Sequence, residues 1–148
     1  GFYIYDEINT TERMRISNTG YVGIGTSSPT SMLEISGAMG STVTDLGTLT
    51  ANADIDTASS NIFKLVLGAN NLTLTFTNPP SNTVTRPVTV VVKQDGTGTR
   101  FVTFANSKYT DAAAPVLSTG ADAVDVLTFF TIDGGTEWYG SFAMANVG

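Results

Sequence analysis

The sequence predicts an all-β protein in two parts. A short segment of intertwined β-hairpins occupies residues 1–40, and an antiparallel β-sandwich or jelly-roll-like head occupies 62–148. A linker holding the first strand of the head joins them over 41–61. Apolar residues recur with period two in nearly every structured run, the spacing of a half-buried strand. Short turns containing Gly, Asn or Asp separate those runs. Charged residues make up only 14% of the chain, against about 25% in an ordinary globular domain. With Thr and Gly abundant, that balance suits pleated, closely stacked sheets.

The first elements follow from alternation. "FYIYDEI" (2–8) sets Phe2, Ile4 and Ile8 against Tyr3, Tyr5 and Glu7, and "ERMRIS" (12–17) sets Met14 and Ile16 against Arg13 and Arg15. "NTT" (9–11) and "NTG" (18–20) are hairpin connections, because Asn and Gly tolerate positive φ. "YVGIG" (21–25), the turn "TSSPTS" and "MLEIS" (32–36) complete three or four short strands. Each strand offers about two apolar side chains, too few to offset its chain entropy alone. Either other copies of the chain wind around a common axis so that Val22, Ile24, Leu33 and Ile35 meet their equivalents, or the segment lies as an extra layer on the C-terminal part. The wound oligomer is the more economical arrangement. Gly23 and Gly25 would then line one face of an extended strand where neighbouring backbones approach closely, with Pro29 fixing the exit turn.

Residues 36–61 are small and polar without aromatics, which predicts a linker and one strand near 46–56. Beyond them "IFKLVL" (62–67) and "LTLTFT" (72–77) flank "GANN". "TRPVTVVVK" (85–93) and "TRFVTFA" (99–105) flank "QDGTG". "AVDVLTFFTI" (123–132) and "EWYGSFAMA" (137–145) flank "DGGT". Three such hairpins predict an antiparallel sandwich. The long loop covers 106–122. "VDVLTFFTI" is apolar on both faces, with Val124, Val126, Phe130 and Ile132 on one and Leu127 and Phe129 on the other. A strand apolar on both sides must be covered on both, so the Leu127–Phe129 face is expected at a subunit interface.

Composition excludes several function classes. A net charge of −6, with Lys and Arg totalling 7, supplies no basic cluster for a phosphate backbone. Without Cys or His there is no thiolate nucleophile, no disulfide and no zinc site built on S or N ligands. No apolar run approaches the roughly 20 residues of a membrane-spanning helix, and no basic segment followed by an apolar core opens the chain as a secretory leader would. "YVGIGT" has the look of a phosphate-cradling loop, but it carries no Lys and runs into a Pro turn and another strand. Asp95 and Asp133 sit in "QDGTG" and "IDGGT", where Asp caps a tight turn and no converging oxygen ligands suggest calcium. Glu7, Glu12, Glu34 and Glu137 lie on separate elements, so no carboxylate pair for glycoside hydrolysis is evident. No cofactor or metal is implied. Candidate surface contacts are Lys108 and Tyr109 in the long loop, and Trp138 and Tyr139, which fall on opposite faces of one strand. One of that pair is expected in the core.

"RMRISNTGYVGIGTSSPTSMLEISG" (13–37) resembles the "VGIGT-x-x-P-x-x-x-L" segments of bacteriophage tail fibres and related fibrous proteins. Residues 71–142, chiefly "QDGTG", "APVLSTGADAVDVLTFFT" and "DGGTEWYG", resemble the C-terminal head of many phage fibre sequences. The resemblance implies a non-enzymatic homotrimeric virion fibre, of tail or capsid, whose distal head contacts a host-surface receptor or glycan, or other virion proteins. It departs at Tyr109, which "TDAAAP" follows where similar proteins carry an aromatic, Pro and glycines. Nothing matches the catalytic residues of the self-cleaving chaperone domain that often follows "VGIGT". A capsid decoration or connector protein is the main alternative, and a polysaccharide depolymerase the second.

Overall fold

Every regular element of residues 1–147, which the computed structural model describes, is a strand, apart from one 3-10 turn at Thr110–Ala112. The chain is all-β. Its contacts divide it into two compact units, one ending at Gly40 and the other beginning at Ser41.

The first unit is a four-stranded sheet of β1 (Phe2–Asp6), β2 (Thr11–Ile16), β3 (Val22–Ile24) and β4 (Leu33–Ile35), in that order. The pairs β1–β2 and β2–β3 are antiparallel, whereas β3–β4 is parallel. The first turn is held by the Asp6 carboxylate, which accepts hydrogen bonds from the Ile8 and Asn9 amides, the Asn9 side chain and Arg13. At the second, Gly20 (φ +83°) donates to the Ser17 carbonyl. One expectation about the glycines needs correction. Gly25 is not extended: it sits past the end of β3 with φ +71°, where a side chain would be strained. Gly23 lies in extended strand as expected and is already buried within the single chain. A Cβ there would stand 2.6 Å from the Thr26 carbonyl oxygen and 3.4 Å from Pro29, so the "TSSP" turn folds back onto it. In the single chain Val22 and Ile35 are half-buried, while Ile24 and Leu33 are exposed.

The second unit contains β5 (Val43–Leu49), β6 (Ala53–Asp56), β7 (Ile62–Leu67), β8 (Leu72–Thr77), β9 (Val88–Gln94), β10 (Val102–Phe104), β11 (Ser107–Lys108), β12 (Val124–Phe130) and β13 (Trp138–Met144). Residues 41–61 thus hold two strands rather than a linker and one. A six-stranded sheet runs β11-β13-β12-β9-β7-β5, and a three-stranded sheet runs β10-β8-β6. From β5 to β10 the chain alternates between the sheets, and each strand pairs in parallel with the one two elements earlier. The hairpins expected at "GANN" and "QDGTG" are therefore absent. The strands flanking each turn belong to different sheets, and only "DGGT" joins an antiparallel pair, β12–β13.

Burial explains this choice. Phe63, Leu65 and Leu67 on β7 and Leu72, Leu74 and Phe76 on β8 are all buried in one core, together with Val88, Val90 and Val92 of β9. As hairpin neighbours the two rows would lie side by side in one sheet; on two sheets they cover one another. The Phe76 ring lies 4.3 Å from that of Trp138, centroid to centroid, and 4.9 Å from that of Phe129, which joins the layers. Leu127 and Phe129 are fully buried in this core, which corrects their expected place at a subunit interface. The core face of β12 is the one carrying Asp125, because that carboxylate is satisfied internally. It accepts from the Ser118 amide (2.7 Å), the Ser118 hydroxyl (2.8 Å) and the Asn146 amide (3.0 Å).

Gln94 completes the buried polar set. It donates to the Arg100 and Ser118 carbonyls and accepts from the Arg100 amide. No buried side-chain polar atom among the described residues lacks a partner. Replacing Asp125 by Ala leaves two amide donors without an acceptor, at about 1–3 kcal/mol for each unsatisfied group. Asp125→Ala is therefore expected to lower unfolding free energy by about 2–4 kcal/mol in urea titration, with the 118 and 146 amides losing hydrogen-exchange protection first.

Candidate functional site

The long loop does not hang free. The Trp138 amide donates to the Asn106 carbonyl at 2.9 Å, and β11 then pairs in parallel with β13, Ser107 opposite Trp138 and Lys108 opposite Tyr139. Successive strand residues point to opposite faces. Trp138 is accordingly buried in the core and Tyr139 stands outward, 37% exposed. Lys108, Tyr109 and Tyr139 come together; Trp138 does not join them.

These three residues, with Thr110 and Gly140, line an open recess on the surface of the second unit. Tyr109 is half-buried, edge-on to Phe129 at 6.3 Å between centroids. Its ring lies over Gly140, where a Cβ would collide with both Tyr109 and Phe129. Burial pushes the Tyr109 phenol above its ordinary pKa, so it remains a neutral hydroxyl donor at physiological pH. Beyond Tyr139, Phe130 stacks on its ring at 5.5 Å and 28°, and both are exposed. Lys108 pairs with Glu137 at 3.4 Å. After Tyr109 the backbone turns through Asp111 and Ala112, both at φ 55°. Behind that turn lies a cavity of about 180 Å³ lined by Phe104, Tyr109, Pro115, Leu117 and Leu127 among others.

Chemically, the recess offers an aromatic platform, one cation, a phenol and a hydroxyl. That set can stack on a ring and donate hydrogen bonds to it. Phe130, Glu137, Thr110 and Gly140 were not among the residues expected from sequence. Alternation alone could have revealed Phe130, once Asp125 fixed which face of β12 turned inward.

The remaining candidates serve structure. Asp95 accepts from Thr97 and Gly98 amides and pairs with Arg100 at 2.8 Å. Asp133 accepts from the Glu137 amide and the Thr131 hydroxyl. Glu12 holds Arg15 with two hydrogen bonds, and Glu34 accepts from the Thr30 amide and hydroxyl. Among the described residues no three His, Cys, Asp or Glu side chains group as a metal site, and no helix is long and apolar enough to cross a membrane. No protein-family model, curated protein or solved structure matches this chain.

The turn carboxylates make stability depend on pH. The Arg100 hydrogen bond, chiefly, holds the Asp95 carboxyl below its usual range, and the Glu137 amide followed by the Thr131 hydroxyl does so for Asp133. An unfolded Asp titrates near about 3.9. A depressed folded pKa means the unfolded chain takes up protons first, so this stabilisation is full above that value and is lost as pH falls through the folded values. The urea midpoint should hold steady from about pH 7 to 5 and decline below about pH 4. Asp133→Asn should make that decline shallower.

Proposed function

We propose that this chain is a structural, non-enzymatic bacteriophage fibre protein, a homotrimer exposed on the virion, which attaches to host-surface glycan through the Lys108–Tyr109–Tyr139 recess. The observation that carries the reading is the parallel β11–β13 pairing, which sets Lys108 beside Tyr139 and its stacked partner Phe130 on the outer face, with Tyr109, whose ring packs inward on Phe129, at the rim of the recess. Aromatic faces flanked by hydrogen-bond donors suit the apolar faces and hydroxyl rims of sugar rings. One recess this shallow binds weakly. Three copies acting together raise apparent affinity through effective concentration.

Self-association is supported by the first unit. Its edge strand β1 leaves Phe2, Tyr3, Ile4 and Tyr5 exposed, and Ile8 in the following turn is 93% exposed. Four short strands with that much apolar surface outward are covered most simply by other copies, so assembly and stability of this unit would be linked. The resemblance of residues 13–37 to fibre shaft segments supplies the trimer.

A capsid decoration or connector role is favoured by one feature, the exposed stacked pair of Phe130 and Tyr139, which also suits a protein surface. The depolymerase reading has less support. Glu137, the carboxylate beside the recess, is engaged by Lys108, and hydrolysis needs a second carboxylate about 5–9.5 Å away.

Labelled chain applied to host bacteria tests the reading. Binding is expected, and Tyr139→Ala should weaken it by about tenfold or more, since a stacked aromatic contributes about 0.5–1.5 kcal/mol in each copy. Light scattering should give three chains per particle. Binding to virions but not to cells would favour the decoration role, and release of reducing ends from host polysaccharide would revive the enzyme.

A further inference from the structure

The cavity of about 180 Å³ behind the long loop is bounded by both sheets of the second unit. Its inner wall is made by Phe104 of β10 and Leu127 of β12, which belong to different sheets, and by Leu117, all three buried. Its outer wall is the loop itself, through Pro115 and the exposed Ala112 and Ala114. The space persists because the loop is held away from it. The β11 pairing pins one end, and the Ser118 bonds to Gln94 and Asp125 pin the other. Between those anchors the alanines bring only methyl groups over the cavity. Asp111 and Ala112 both adopt φ 55°, a conformation that side-chain-bearing residues keep only where their surroundings impose it.

We infer that this cavity binds one small uncharged aromatic ring, a compound of phenol size, independently of the fibre reading. Volume sets the upper limit. A cavity of about 150 Å³ walled by Leu, Ile and Phe accepts benzene, whereas drug-sized ligands need about 300 Å³ or more. Charge narrows the class. No charged side chain among the described residues lines the cavity, so an ion entering it would lose its hydration without a counter-charge. The walls favour a ring, because Phe104 and Tyr109 present aromatic surface to it. Ser107 and Tyr109 add hydroxyls. The Ser107 hydroxyl reaches the Ala105 carbonyl only at 3.4 Å, longer than a good O–H···O bond, which leaves it available to a hydroxyl on the ring. An apolar enclosure with a few polar groups is the usual form of a small-molecule site. Tyr109 alone borders both this cavity and the recess, so the two sites are separate.

Methyl-labelled full-length chain is titrated at neutral pH with phenol and, separately, with benzoate, and followed by NMR. Phenol is expected to shift the Val102, Leu117 and Leu127 methyl signals saturably. Benzoate, the same ring carrying a charge, is expected to leave them in place. Ala114→Phe, on the exposed loop, puts a ring of the chain's own into the space, and Val102→Phe fills it from β10. Thermal melts verify that each variant folds, and a folded variant is expected to lose the phenol shifts. Absence of saturable phenol shifts in the unaltered chain overturns the site, whatever the variants do. Phenol shifts that survive in a folded, filled variant, or an equal response to benzoate, overturn it as well.

Discussion

The aromatic contact between the two sheets of the second unit is the constraint on which its other features depend. Phe76 and Phe104 come from the three-stranded sheet, Phe129 and Trp138 from the six-stranded one. Each such pair contributes about 0.5–1.5 kcal/mol beyond the area it buries. The cluster also sets the phase of β12 and β13. With Phe129 and Trp138 drawn inward, alternation sends Phe130 and Tyr139 outward, where they pair and stack. The recess surface is thus the reverse side of the core, and Tyr109, edge-on to Phe129, links the two.

Rigidity of the recess follows from the polar groups beneath the loop. Its start is tied by β11 and the Asn106–Trp138 hydrogen bond, and its end by Ser118, which bonds both Gln94 and Asp125. A loop held at both ends has little freedom left to lose on binding, and ordering costs are among the larger penalties of association. The buried carboxylate and amide thus fix the end of the loop that begins at the recess.

Much of this was legible in the sequence. Period-two alternation located the strands, and it separated Trp138 from Tyr139. Alternation is silent about partners, however. "IFKLVL" and "LTLTFT" flanking "GANN" read equally well as a hairpin or as strands of two sheets, and only the shared core decides. The phase of β12 is not legible, because both faces of that strand are apolar; the Ser118 and Asn146 donors that satisfy Asp125 show which one turns inward. Gly23 is a site of close approach, and within the single chain the approaching atoms belong to the turn that follows it. The Lys108–Tyr139 neighbourhood required the parallel β11 pairing, which a two-residue strand cannot announce.

The alternating parallel connection has a consequence for how the chain acquires its structure in time. Strand β7 can pair only with a β5 that an intervening strand has carried away and back, and the same holds for β8 with β6 and β9 with β7. Each step closes a loop before any ladder forms, and folds built from such distant pairings assemble slowly, over milliseconds to seconds. During synthesis the edge of β9 stays open until residues 124–130 emerge and pair with it in antiparallel fashion. An open edge is a template for pairing with the wrong chain. The β12–β13 hairpin is thus the element that ends this exposure, and it emerges after the strands whose open edge it covers.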